Sequence, residues 1–245
     1  MRAAYGGSLW PAPLVLLMVL GCTGPHTVVS LSHVGQGQPL GMAASDNPGK
    51  GPRLGTEAPR QVRNVPPGTG ATRYWGQLKL GSPEKLNQFV LFIDDAESPP
   101  LRMYLDANQN GDLGDDPGPL ENQGTGAFAC TLDLKLSYPG VPDLQAYRIW
   151  FYINKRSWKT QTCYFYSRCH RRGTLTVAGR ELTLVVFDNP ADGDYSNDPL
   201  VVDLNGNGKA EAGERFWPGE VIGNTHLKLK SISPAGDRVV LRQVR

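Results

Sequence analysis

The chain has 245 residues, 40% hydrophobic and 20% charged, enough for one ordinary core with or without a disordered arm. A net charge of +2 gives no global attraction to nucleic acid, and no motif of a known nucleic-acid module is present. Four Cys without a CxxC pair and four unclustered His leave no thiol-redox motif and no zinc or copper pattern.

The first 22 residues read as a targeting segment. Arg2 supplies a thin positive start, and the apolar stretch from Pro13 to Leu20 is too short to span a bilayer but fits a signal-peptide core. The VLGC tetrapeptide ending at Cys22 resembles the lipobox of bacterial lipoproteins. That resemblance implies an acylated Cys22 and a lipid anchor in the bacterial cell envelope, outside the cytoplasm; a plain cleaved signal would make the protein secreted. The membrane is then a partner through the anchor alone. Residues 23–71 show no hydrophobic period and are dense in Gly, Pro, Ser and Gln, so they are expected to form a flexible stalk.

From residue 72 the texture changes to short alternating or β-branched and aromatic runs. Strands are expected over 72–80, 88–94, 101–106, 128–138, 145–154, 161–167, 173–178, 180–188, 199–203, 225–233 and 237–244. The AGR of residues 178–180 and the PAGD of 234–237 are hairpin turn signals. No window carries a long helical period. The expected fold is all-β, an antiparallel β-sandwich or partly closed barrel over 72–245 with long acidic loops. Residues 89–112 and 184–209 echo each other: apolar strand, acidic loop with Pro, second apolar strand, then DxNxNG.

A twelve-residue calcium loop takes oxygens from positions 1, 3, 5, 7, 9 and 12, with Gly at 6 for the sharp turn. In the later segment these are Asp203, Asn205, Asn207, Lys209 through its backbone carbonyl, Glu211 and Glu214, with Gly208 at position 6. In the earlier segment Asp106, Asn108, Asn110, Gly111 and Asp112 fit positions 1, 3, 5, 6 and 7, but position 12 is Pro117. Closure there falls to Asp115, Asp116 or Glu121. In the stretch that intervenes before the later loop, Asp188, Asp192 and Asp194 either donate to the second ion or form a third site. The hard, all-oxygen donor set favours calcium, with two sites expected.

Charge distribution points the same way. Residues 94–121 hold eight Asp or Glu and 188–214 hold seven, so fifteen of the chain's twenty-three acids occupy two short windows. Carboxylates converging within a Debye length, about 8 Å at physiological ionic strength, repel unless cations intervene. The bland alternative is turn chemistry on a solvated edge, since Asn, Asp and Gly are also ordinary loop residues.

The stretch from Asp203 to Glu214 resembles the EF-hand loop and the loops of dockerins, although the residues before Asp203 read as strand rather than helix. The whole pattern also resembles uncharacterised bacterial envelope lipoproteins with DxNxNG loops in a β-rich body. The resemblance implies calcium binding and attaches no catalytic activity.

The remaining constellations are weaker. With Cys22 acylated, Cys163 and Cys169 are the preferred disulfide, with Cys130 buried in a strand; a bridge from Cys130 to either is the alternative. Cys169 and His170 are sequence neighbours, which along a strand face opposite sides, so no nucleophile and base pair is read there. Residues 154–172 mix cations with Trp158, Tyr164, Phe165 and Tyr166 and would suit an acidic glycan, although an edge hairpin protected by Lys and Arg is commoner. A calcium-stabilised, lipid-anchored structural or adhesive domain, not an enzyme, is therefore expected, with an envelope glycan or protein as partner and no nucleic acid. A carbohydrate-binding module is the rival and a hydrolase using paired carboxylates is third.

Overall fold

The computed structural model describes residues 18–19, 25–37, 39–42, 48–67, 72–95 and 101–244. The lipobox cysteine Cys22 lies outside the described residues.

Four open antiparallel sheets make up nearly all of the regular structure. Strands β5 (Thr72–Leu80), β6 (Asn87–Asp95), β7 (Arg102–Leu105) and β8 (Leu120–Glu121) form one sheet in chain order. A second is ordered β4 (Gly49–Arg53), β11 (Thr162–Ser167), β10 (Gln145–Ile153), β9 (Phe128–Leu136). The third runs β15 (Arg215–Phe216), β14 (Leu200–Asp203), β13 (Arg180–Val186), β12 (His170–Val177), β3 (Ser32–Val34). The fourth runs β1 (Met18–Val19), β2 (His26–Ser30), β17 (Arg238–Gln243), β16 (Leu227–Ile232). No sheet closes on itself among the described residues, so the fold is the expected antiparallel all-β one, consistent with a sandwich, with no closed barrel.

The alternation that marked the strands in sequence is the alternation of burial. In β10, Tyr147, Ile149, Phe151 and Ile153 are 0–1% exposed, while Arg148, Trp150 and Tyr152 face outward. The middle of strand β6, residues 89–93, is an unbroken apolar run because both of its faces are covered there. Phe89, Leu91 and Ile93 enter the main core, whereas Val90 and Phe92 join Trp75, Tyr104 and Leu113 in a second cluster. There Phe92 stacks on Tyr104 with ring centroids 4.5 Å apart.

The expected strand over 145–154 stops at Ile153 because Asn154 caps a single helical turn, α1 (Lys155–Lys159). The Asn154 side chain accepts from the Ser157 N–H and the Ser157 hydroxyl accepts from the Asn154 N–H, a reciprocal capping box. The AGR turn joins β12 to β13 with Ala178 and Gly179 both at positive φ, as a two-residue hairpin requires.

Residues 23–71 are not wholly a stalk. His26–Ser30 pairs with β17, Ser32–Val34 with β12 and Gly49–Arg53 with β11. Gly, Pro and polar composition misleads here because these are edge or short strands with little apolar surface to offer. In β4 the glycines serve close approach: a Cβ on Gly49 would lie 2.1 Å from the Ala191 carbonyl, and one on Gly51 2.9 Å from Cys163 Cβ.

The Cys163 to Cys169 bridge is absent: Cys130, Cys163 and Cys169 are all free and buried. Cys163 lies near the start of β11 and Cys169 beyond its end. Four residues of extended strand alone separate Cys163 from Ser167 by about 13 Å, far more than the roughly 7 Å a disulfide tolerates.

Candidate cation-binding loops

Three acidic loops share one internal geometry. The 203–214 loop leaves the end of β14, the 106–116 loop leaves the end of β7, and the 188–198 loop connects β13 to β14. In each, the first Asp is buried: Asp203 is 6% exposed, Asp106 2% and Asp188 1%. Each turns its carboxylate inward onto backbone N–H groups four and five residues ahead. Asp203 accepts from Asn207 at 3.1 Å and Gly208 at 3.0 Å, Asp106 from Asn110 at 3.1 Å and Gly111 at 2.9 Å, and Asp188 from Asp192 at 3.0 Å and Gly193 at 2.8 Å. The sixth residue is Gly at positive φ in all three: 73° at Gly208, 81° at Gly111 and 83° at Gly193. Position 5 then accepts from the N–H of position 7, through Asn207 to Lys209, Asn110 to Asp112 and Asp192 to Asp194.

Position 8 is an anchor in every loop, which sequence reasoning missed. Leu113 packs into the second cluster, Tyr195 is fully buried in the main core, and Ala210 packs with Val185, Phe187 and Val201. The backbone beside it is tied down as well. The Arg63 N–H donates to Gly111, the Tyr195 N–H to Pro234, and the Ala210 N–H to Leu40. A plug at one point and a backbone tie beside it hold each acidic turn against the body.

The closing group differs. Glu214, 4% exposed, accepts from Leu204 at 2.8 Å through one oxygen and from Glu211 at 3.1 Å through the other. Glu211 holds the side-chain amides of Asn205 and Asn207. In the 106–116 loop Asp116 takes the role of Glu214, accepting from Ala107 at 3.0 Å, and Asp115 takes that of Glu211, holding the amides of Asn108 and Asn110. The loop therefore closes one position early. Glu121 stands apart on β8 opposite Arg102. Asp112 turns outward to Asn64, whose amide hydrogen bond, with the Gly114 N–H, holds its carboxyl below the usual range. Asp116 is raised instead, by burial first and then by Asp106 and Asp115, and its Oδ2 is buried without a partner.

The 188–198 loop and the 203–214 loop leave opposite ends of β14. Asp198 precedes β14 and Asp203 ends it, about 17 Å of extended chain apart. The loop is seated in the core through Asp188, which accepts from the Tyr147 hydroxyl, and through Tyr138, whose hydroxyl donates to Gly193 O at 2.8 Å. Burial first, then the neighbouring acid Asp192, pushes the Asp188 carboxyl upward.

Among the described residues no three His, Cys, Asp or Glu side chains converge at metal-ligating distance. Their oxygens face the N–H groups of their own loops, and half of a calcium loop's ligands come from amides, backbone carbonyls and water in any case. Oxygen-only donors, buried first carboxylates and an unpartnered Asp116 oxygen fit a hard cation.

Residues 154–172 divide differently from the sequence expectation. Phe165 is core, Arg171 is 3% exposed with its guanidinium over the Tyr195 ring, and Trp158 packs edge-on against Tyr74 at 5.2 Å. What remains outward is Tyr164 and Tyr166, joined by Tyr152 and Trp150 of β10. Tyr152 lies 5.8 Å from Tyr164 and 6.2 Å from Tyr166, with Arg168 over Trp150. Burial raises the Cys169 thiol, and burial with Arg172 and His33 lowers His170 to about 4, so neither is tuned for nucleophilic chemistry near neutrality.

No protein-family model, curated protein or solved structure matches this chain.

Proposed function

We propose that this protein is a calcium-binding, extracytoplasmic β-domain, lipid-anchored through Cys22, whose role is structural or adhesive. Calcium at the 106–116 and 203–214 loops ties long acidic turns to the sandwich. The reading is carried by Glu214, a buried carboxylate with no ion-pair partner among the described residues, held at the closing position by N–H groups from both ends of its loop. Such a group is costly to bury as an anion unless a cation joins it.

Glu214→Gln removes the bidentate closing charge but keeps the shape and an acceptor oxygen. With an affinity of about 0.1 mM, 1 mM calcium stabilises each loop by about 1.4 kcal/mol. The variant is expected to lose about that much of the calcium-dependent stabilisation in urea titrations while unfolding like the parent in chelator. Equal calcium responses in the two proteins would remove Glu214 from the site.

A second reading, carbohydrate binding, is favoured by the outward rings of Trp150, Tyr152, Tyr164 and Tyr166, which offer a stacking surface edged by Arg168. Binding on a glycan array is then expected to be lost in Tyr164→Ala and retained in Trp158→Phe. Retention in both, or no binding by the parent, removes this reading.

A further inference from the structure

We propose that the 188–198 loop takes a hard divalent cation of its own, calcium by its all-oxygen donor set, with Asp198 supplying the closing carboxylate. The inference rests on the calcium reading of the other two loops and extends it to a third site with a ligand that the spacing of DxNxNG motifs does not reveal.

The first support is register. Asp198 stands ten residues after Asp188, as Asp116 stands ten after Asp106. Its Oδ1 accepts from the N–H of Asn189, the residue after the first Asp, at 3.0 Å, and Asp116 does the same with Ala107 at 3.0 Å. At position 10, Asn197 donates its amide to Asp192 at 2.8 Å, the contact that Asn110 and Asp115 make with the roles exchanged.

The second support is independent of loop geometry. Asp198 is 1% exposed, and its Oδ2 is buried with no hydrogen-bond partner. With Oδ1 fixed on the entry of the loop, the free oxygen belongs to a carboxylate whose charged neighbours are Asp188, Asp192 and Asp194. The side-chain oxygen of Asn189 is likewise buried and unpartnered. None of the four acids has a Lys, Arg or His within ion-pair distance among the described residues. A buried polar atom without a partner is rare in folded proteins, and one on a carboxylate among carboxylates calls for a cation.

The donor set is also chemically distinct. Pro190 at position 3 has no side-chain oxygen, so the donors on offer are Asp188, Asp192 and Asp198, the Asp194 main-chain carbonyl and water; the three carboxylates do not converge at ligating distance here and would have to exchange their loop N–H partners for the ion. High carboxylate density with some retained water suits calcium, and the same chemistry admits magnesium.

The test counts ions. The purified full chain, stripped with chelator and re-equilibrated with 1 mM calcium chloride, is expected to bind three ions by native mass spectrometry, and Asp198→Asn two. Asp192→Asn, altered at the half-buried rim, is expected to bind two as well and serves if Asp198→Asn does not fold. Glu214→Gln should also bind two, and the double variant Glu214→Gln with Asp192→Asn one. A parent chain that binds only two ions, or Asp198→Asn and Asp192→Asn chains that still bind three, overturns the third site and leaves the other two standing. No ion on any of these chains sinks the calcium reading together with the inference.

Discussion

Withdrawing calcium from the full chain is expected to cost about 3 kcal/mol at the 106–116 and 203–214 loops together, taking about 1.4 kcal/mol for each at 1 mM calcium. For a chain of this size that lowers the melting temperature by about 6–12 °C. The loss comes from carboxylates that remain buried when the cation leaves: Asp106, Asp203 and Glu214 are all under 10% exposed. Differential scanning calorimetry in 1 mM calcium and in excess chelator gives the answer directly. Superimposable transitions would mean that the loops are stable by their own hydrogen bonds.

The second large effect is at a glycine. Gly193 has φ 83°, and a Cβ there would stand 2.7 Å from the Gly81 amide nitrogen and 3.1 Å from Leu80 Cβ. Gly193→Ala therefore combines left-handed strain, about 1–2 kcal/mol, with overpacking of about 1–3 kcal/mol. Gly208 occupies the same position of the 203–214 loop at φ 73°, but the Cβ that an alanine would add there meets no atom within 4 Å. Gly208→Ala should cost only the strain, about 1–2 kcal/mol. Urea titrations in chelator separate the two; equal costs would mean that the 188–198 loop moves off the core without penalty.

The longer strands from residue 72 onward were legible because each carries its own signal, whereas the two-residue β8 and β15 were not expected. β5 matches its expected span of 72–80, and β9, β10 and β13 differ only at their ends, since alternation in the sequence is alternation of burial. The segments β2, β3 and β4 were not legible because pairing partners, rather than their own apolar content, make them strands. In the acidic loops the DxNxNG register located Asp106 and Asp203, but closure depended on contacts that spacing does not encode. The choice of Asp116 over Asp115 and Glu121 follows from the Ala107 hydrogen bond. Asp198, the closing carboxylate proposed for the 188–198 loop, does not stand out in the sequence because Pro190 breaks the motif at position 3. Comparing offsets with the 106–116 segment, which shares Asp, Gly and Asp at positions 1, 6 and 11, would have found it.

The fourth sheet sets β2, from residues 26–30, beside β17, from residues 238–243. More than two hundred residues of chain lie between these two paired strands. High contact order of this kind slows folding, because the entropy of closing the loop is lost before any contact offsets it. Until the last strand arrives, the edges of β2 and β16 are unpaired on the sides that β17 will fill. The final hairpin is thus the keystone of the architecture: truncation within residues 238–243 should leave an assembly intermediate with open edges, prone to self-association.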